Sequence, residues 1–134
     1  MSDVVVKDSS IHGKGLFAAR PFQKGEVVLK WKITWLNQEE LARLPESDHI
    51  YLGFYEGKTA LFGAPERYIN HSCDSNTTIG DYCDIASRNI ETGEEITSDY
   101  SGSFIPGGSM VCTCGSNKCR RIINGKKPPV NIHL

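Results

Sequence analysis

Cys112, Cys114 and Cys119 bring three thiols into eight residues. With five cysteines in all and no export signal, such crowding reads as metal ligation more readily than as disulfides. A structural zinc ion takes four ligands in tetrahedral geometry, so a fourth donor must come from elsewhere. Cys73, Cys83, His71 and His133 are the candidates, and spacing alone leaves all four open. A tail this short, flanked by glycine and proline, has no core of its own, so its order should depend on the metal.

Three further segments carry candidate chemistry. Arg67-Tyr68-Ile69-Asn70-His71-Ser72-Cys73 strings coordinating and hydrogen-bonding side chains along one short stretch. Gly93-Glu94-Glu95-Ile96-Thr97-Ser98-Asp99-Tyr100 is a strand pattern that ends on a tyrosine, with Ser98 on the same face as Tyr100 by the two-residue period. Gly13-Lys14-Gly15 is a glycine turn of low specificity. It lacks the third glycine of a dinucleotide fingerprint and the Gly-Lys-Ser/Thr of a Walker loop.

Short strands at frequent turns must position these groups. Val4-Val5-Val6, Leu16 to Ala19 and Val27 to Trp31 read as strands, the last after a Gln23-Lys24-Gly25-Glu26 turn. One helix is well marked: Asn37 caps it, Glu40 completes a capping box, Leu36 staples onto Leu41 and Pro45 stops it. Residues 49–55 and 58–62 form a hairpin around Glu56-Gly57, and Pro65 opens a brief helix through Ile69. Residues 82–88 and 94–100 are two more strands, and Ser101 to Ser109 is linker-like.

At 134 residues, the chain has the length of one domain. Its 39% hydrophobic and 23% charged residues describe an ordinary globule. The net charge of −1 argues against a general nucleic-acid binder. Arg120, Arg121, Lys126 and Lys127 read as a solvated basic tail. No apolar run approaches the roughly 18 residues of a membrane span. Crowded cysteines without an export signal make the expected compartment a reducing one: cytoplasm, or nucleus and chromatin in a eukaryote.

In their order and rough spacing, Gly13-Lys14-Gly15-Leu16-Phe17-Ala18, Arg67 to Cys73, Gly93 to Tyr100 and the Cys112–Cys119 cluster resemble the SET-domain lysine methyltransferases that carry a cysteine-rich post-SET segment. The resemblance runs from about Ser9 to Arg121. It implies a mainly β fold of several small sheets with a knot-like C-terminal half. The expected divisions are a SET domain over 1–104, a post-SET zinc segment over 105–124 and a flexible tail over 125–134.

The resemblance further implies S-adenosyl-L-methionine as cofactor, met by Lys14, Gly15, Leu16, Arg67, Asn70 and His71, with glycine allowing close backbone approach. Tyr100 matches the catalytic tyrosine, and Tyr51, with Tyr55 as its rival, a second channel tyrosine. Cys73 would complete the zinc set of Cys112, Cys114 and Cys119, leaving Cys83 as a small buried hydrophobe.

The implied activity is methyl transfer to the side-chain amine of a protein lysine, with a histone or a basic DNA-associated protein among the candidate substrates. A catalytically silent module that binds a peptide or protein partner is the alternative. The expected partner is a protein or peptide with an exposed lysine, without direct nucleic-acid or membrane binding; a homodimer is open. No cysteine cluster precedes Gly13, so substrate choice should come from the groove itself or from oligomerisation. Glu39, Glu40, Glu46 and Asp48 either favour a basic peptide or form a solvated face. Ser98 departs from the family, which usually has Phe or Tyr there as a product-specificity residue. The smaller side chain leaves room for di- or trimethylation unless an aromatic such as Phe104 fills the gap.

Overall fold

The computed structural model describes residues 3–55, 57–100, 109–112 and 114–124. The linker at 101–108, the tail from 125, Phe104 and His133 lie outside the described residues. The chain opens with strands β1 (Val4–Asp8), β2 (Lys14–Ala18), β3 (Val27–Lys30) and β4 (Ile33–Trp35), then helix α1 (Gln38–Arg43). Strands β5 (Leu52–Tyr55), β6 (Lys58–Phe62), β7 (Asn70–His71), β8 (Thr77–Ile79), β9 (Cys83–Ala86) and β10 (Glu95–Ser98) follow, and β11 (Ser109–Val111) and β12 (Ile122–Asn124) close the order. Short 3-10 turns at Glu46–Tyr51 and Glu66–Tyr68 flank the β5–β6 hairpin. The fold is therefore mainly β, and the described residues form four small sheets ordered β1-β2-β10-β7, β3-β9-β8, β4-β6-β5 and β11-β12.

Local sequence explains much of this. The Asn37 side chain accepts from Glu40 N at 2.8 Å while Asn37 N donates to the Glu40 carboxylate at 3.1 Å, the reciprocal cap that starts α1. Leu44, before Pro45, is already extended and ends the helix. Two expectations shift. Residues 49–51 belong to the 3-10 turn begun behind Pro45, not to the hairpin strand, because Asp48 N closes onto Pro45 O at 2.9 Å. Pro65 stands just outside a single 3-10 turn rather than opening a helix through Ile69.

The main core lies where β1, β2, β9 and β10 meet. Leu16, Phe22, Ile90 and Ile96 are essentially sealed from solvent, joined by Val4, Ala18, Val28, Ile69 and Ala86. Burying each large side chain contributes roughly 1.5–3 kcal/mol. Phe22 and Ile90 also exchange backbone hydrogen bonds at 2.8 Å, which ties the segments around β3 and β9 to this core.

The central joint is β10. It pairs antiparallel with β2 (Ile96 opposite Leu16) and parallel with β7 (Thr97 opposite Asn70, Ser98 opposite His71). Between β7 and β10 the chain leaves this sheet, builds β8 and β9 against β3, and returns. Asn76, 2% exposed, stitches the excursion down. Its Oδ1 accepts from Thr97 N at 2.9 Å and its Nδ2 donates to Glu95 O at 2.8 Å. Asn76→Ala should therefore strand a buried backbone donor and acceptor and cost about 2–4 kcal/mol. Urea unfolding would read this as a lower midpoint at unchanged slope.

Candidate functional site

A cavity of about 630 Å3 runs between the β2 turn, the Glu46–Tyr51 turn, the Glu66–His71 segment and the end of β10. Its walls include Gly13, Lys14, Tyr51, Arg67, Asn70, His71, Ser98 and Tyr100. The three separated sequence segments thus converge on one space.

Asn70 builds the joint between them. Its Nδ2 donates to His12 O at 3.0 Å, Lys14 O at 2.9 Å and the Glu95 carboxylate at 3.0 Å. The side-chain nitrogen is thus occupied in holding the glycine turn against β10. Glu95 is fixed in turn by Ser9 Oγ at 2.8 and 2.9 Å. A Cβ on Gly15 would run into that carboxylate and into Ser9. Gly15 is thus required by packing inside the protein, and neither it nor the sealed Leu16 lines the cavity. Gly13, at φ +44 with open space beside it, and Lys14 are the cavity-lining part of this turn.

The tyrosines separate cleanly. Tyr55 is engaged elsewhere: its hydroxyl donates to Gly80 O at 3.1 Å and accepts from Tyr82 N at 3.2 Å, and the residue is not among those lining the cavity. Tyr51 does line it, with the Arg67 guanidinium 4.2 Å over its ring. Arg67 also donates to Phe62 O at 2.9 and 3.1 Å, so it braces Tyr51. The Tyr100 hydroxyl donates to Ile69 O, which leaves its oxygen lone pairs as acceptors. Burial, then the charges of Asp84 and Glu95, push the phenol above its ordinary range and keep it neutral.

His71 connects this phenol to the sulfur cluster. Its Nδ1 accepts from Tyr100 N at 2.9 Å, so the neutral ring carries its proton on Nε2, which lies 3.4 Å from Cys73 Sγ. Asp99 at 3.8 Å pulls the imidazole pKa up, but burial pulls it down further, and Nδ1 is already an acceptor; the contact is not an ion pair. Cys73, Cys112, Cys114 and Cys119 place their sulfurs within 4.8 Å of one another, a group that could hold a metal ion. Cys83 stays apart, buried on β9. Arg120 and Arg121 are exposed, as expected of a solvated basic segment, but Arg120 is also engaged: its N and Nε lie 3.3 and 3.4 Å from Cys73 Sγ, and its guanidinium pairs with Asp99 at 2.8 Å.

The cavity also holds residues that sequence patterns passed over: Trp31, Phe62, Glu66 and Asp84. Asp84 is 2% exposed and accepts from Trp31 Nε1 at 2.7 Å. The only signal for it was an acidic residue set among small apolar ones in Cys83-Asp84-Ile85-Ala86.

With that geometry in place, comparison with known proteins is decisive at the level of family. Residues 13–101 match the SET domain. The chain belongs to the SET-domain family. It is 32% identical over 141 residues to human histone-lysine N-methyltransferase 2D, which covers 92% of this chain and 2% of that protein. It is also 32% identical to the Drosophila virilis histone-lysine N-methyltransferase trithorax over 138 residues, 87% of this chain and 3% of that one. The chain therefore spans only a small fraction of these relatives. Among solved structures it resembles a Plasmodium falciparum protein provisionally designated a histone methyltransferase, with a TM-score of 0.62 at 21% identity, over 75% of this chain and 94% of that one. This likeness supports the SET fold.

Asp84 yields a stability prediction. Burial first, then the nearby Glu66 charge, pushes its carboxyl from 3.8 up to about 6 despite the Trp31 bond. Between these values the folded SET domain holds a proton that the unfolded chain has lost, so stability falls as pH rises through the window, by about 3 kcal/mol at most. Asp84→Asn should flatten that part of the profile and be the more stable form at pH 7.5. Denaturant midpoints of both proteins from pH 4.5 to 7.5 would show it.

Proposed function

We propose that this chain is a protein-lysine methyltransferase that uses S-adenosyl-L-methionine, with Tyr100 and Tyr51 lining the path of the substrate amine. The supporting observation is the position of Tyr100: a half-buried, neutral phenol on the same cavity as the Gly13–Lys14 turn, Asn70 and His71. Family membership and the histone-lysine methyltransferase relatives point the same way.

The cofactor supplies a methyl group on a sulfonium centre. Gly13 and Lys14, with Arg67, Asn70 and His71, line the cavity and are the residues assigned to hold it, while Gly15 and Leu16 lie off the cavity and support the turn from behind. A free lysine is only ~0.1% neutral at pH 7.4, so exposing its lone pair costs about 4 kcal/mol. The Tyr100 hydroxyl donates its one hydrogen bond to Ile69 O, so its oxygen can accept an amine N–H and turn the nitrogen lone pair along the line of attack. Ser98, opposite His71 on the same cavity, leaves space beside the amine, which favours more than one methyl addition. A histone or another basic protein is the substrate class these relatives suggest, and a chromatin or cytoplasmic location follows the host.

For the four cysteines we assign zinc. With Zn–S bonds near ~2.3 Å, tetrahedral ligands stand about 3.8 Å apart; Cys73 and Cys112 are 3.8 Å apart and the other sulfurs are gathered close by.

Radiolabelled methyl transfer into host lysate, with mass mapping of the labelled lysine, tests the main reading. Transfer should appear with di- or trimethylated product, and Tyr100→Phe should still bind cofactor but lose about a hundredfold or more in turnover. Near-normal turnover in that variant would refute the role of Tyr100; cofactor binding without any transfer would favour a silent binding module. Purified reduced protein should carry one zinc by metal analysis. Stripping it should unfold the segment from Cys112 to Asn124, visible as lost amide protection, and lower turnover through the His71 contact to Tyr100.

A further inference from the structure

Two carboxyls on the cavity wall have no part in the methyl-transfer scheme. Glu66 is 5% exposed; its Oε2 accepts from the backbone N–H groups of Lys32 and of Gly63, the latter at 3.1 Å. Its Oε1 is buried and has no hydrogen-bond partner among the described residues. Asp84 lies near enough for the Glu66 charge to act on it, and spends Oδ2 on the Trp31 indole. Trp31 meets Phe62 edge-on with ring centroids 5.3 Å apart, and both line the cavity with the two acids, Ser98 and Tyr100.

Two buried like charges beside an unfilled acceptor are unfavourable unless a cation joins them. The lysine and arginine side chains that line the cavity are committed: Lys14 to Asp8, and Arg67 to Phe62 O and the Tyr51 ring. Two carboxylates with aromatic walls are a poor match for a hard metal ion, which wants six or more oxygens. They suit an organic ammonium, whose N–H groups take the free oxygen while its alkyl stem packs on rings.

We propose that Glu66 and Asp84, walled by Trp31 and Phe62, form a subsite for an alkylammonium head group, filled in turnover by the charged ε-amine of the substrate lysine before it gives up its proton to solvent. The physiological ligand rests on the methyl-transfer reading; the existence of the subsite does not.

The probe is n-butylammonium, the lysine head on its stem, against neutral n-butanol, titrated into the full 15N-labelled chain. With two tryptophans in the sequence, the indole N–H signals of Trp31 and Trp35 are easily followed. Butylammonium should shift Trp31 saturably and leave Trp35 still, with butanol weaker by roughly tenfold or more. Glu66→Gln keeps an acceptor for Lys32 and Gly63, and Asp84→Asn keeps one for Trp31; each should lose about tenfold in butylammonium affinity. An equal response to both probes, a silent Trp31, or undiminished affinity in whichever variant folds would overturn the subsite. Methyl transfer in lysate without ammonium selectivity sinks this inference alone; selectivity without transfer sinks the enzymatic reading alone.

Discussion

Everything in this molecule hangs on the parallel pairing of a two-residue strand, β7, with β10. Two ladder positions are too few to hold a joint by backbone bonds alone. The pairing persists because three side-chain systems lock it: Asn70 grips the glycine turn and Glu95, Asn76 grips Thr97 and Glu95 O, and Thr77 Oγ1 donates to Thr97 O at 2.7 Å. Asn70, Asn76 and Thr77 are buried, and the bonds that Asn76 and Thr77 make to the Thr97 backbone lie where water cannot compete. The same joint sets Tyr100 two residues beyond Ser98 and opposite the glycine turn.

From that joint a second dependence follows. His71 stands on β7 with one ring nitrogen bound to the Tyr100 backbone and the other facing Cys73. Arg120 closes a parallel route, from Cys73 to Asp99, the neighbour of Tyr100. The sulfur cluster therefore does more than pin a short tail. It loads two side chains that fix the backbone carrying the phenol, so the order of one end of the chain bears on the geometry of the cavity.

Where neighbours in sequence decide the outcome, the sequence was readable. The Asn37–Glu40 box and the Pro45 stop appear as written, as does the β5–β6 hairpin around Gly57. Motif resemblance located the cavity and, among the described candidates, the cysteine that joins the other three. Three-residue strands such as β4, β8, β11 and β12 escaped notice because so short a run carries no periodicity; distant partners make them strands. At Gly15 the close neighbours are Glu95 and Ser9, and the Glu95 contact spans eighty residues that no local pattern encodes. That Tyr51 lines the cavity and Tyr55 does not goes with the Tyr55 hydrogen bonds to Gly80 and Tyr82, contacts over more than twenty residues that no local pattern encodes.

Asp84 and Glu66 were invisible for a deeper reason: a charged residue in a sequence is presumed solvated, and only tertiary packing reveals otherwise. Their burial is a local conflict between stability and something else. Within the fold the Asp84 carboxyl accepts one bond from the Trp31 indole, a bond that an amide oxygen could accept without the cost of burying a charge. Glu66 has a structural task, since its Oε2 holds two backbone groups, but that task needs one oxygen and leaves the second stranded. Buried acids whose internal contacts an amide could make equally well are most simply understood through a ligand whose charge they match. On this cavity, beside a phenol placed to accept an N–H and with a serine where bulk would close the space, that ligand is a cation carried on a flexible stem.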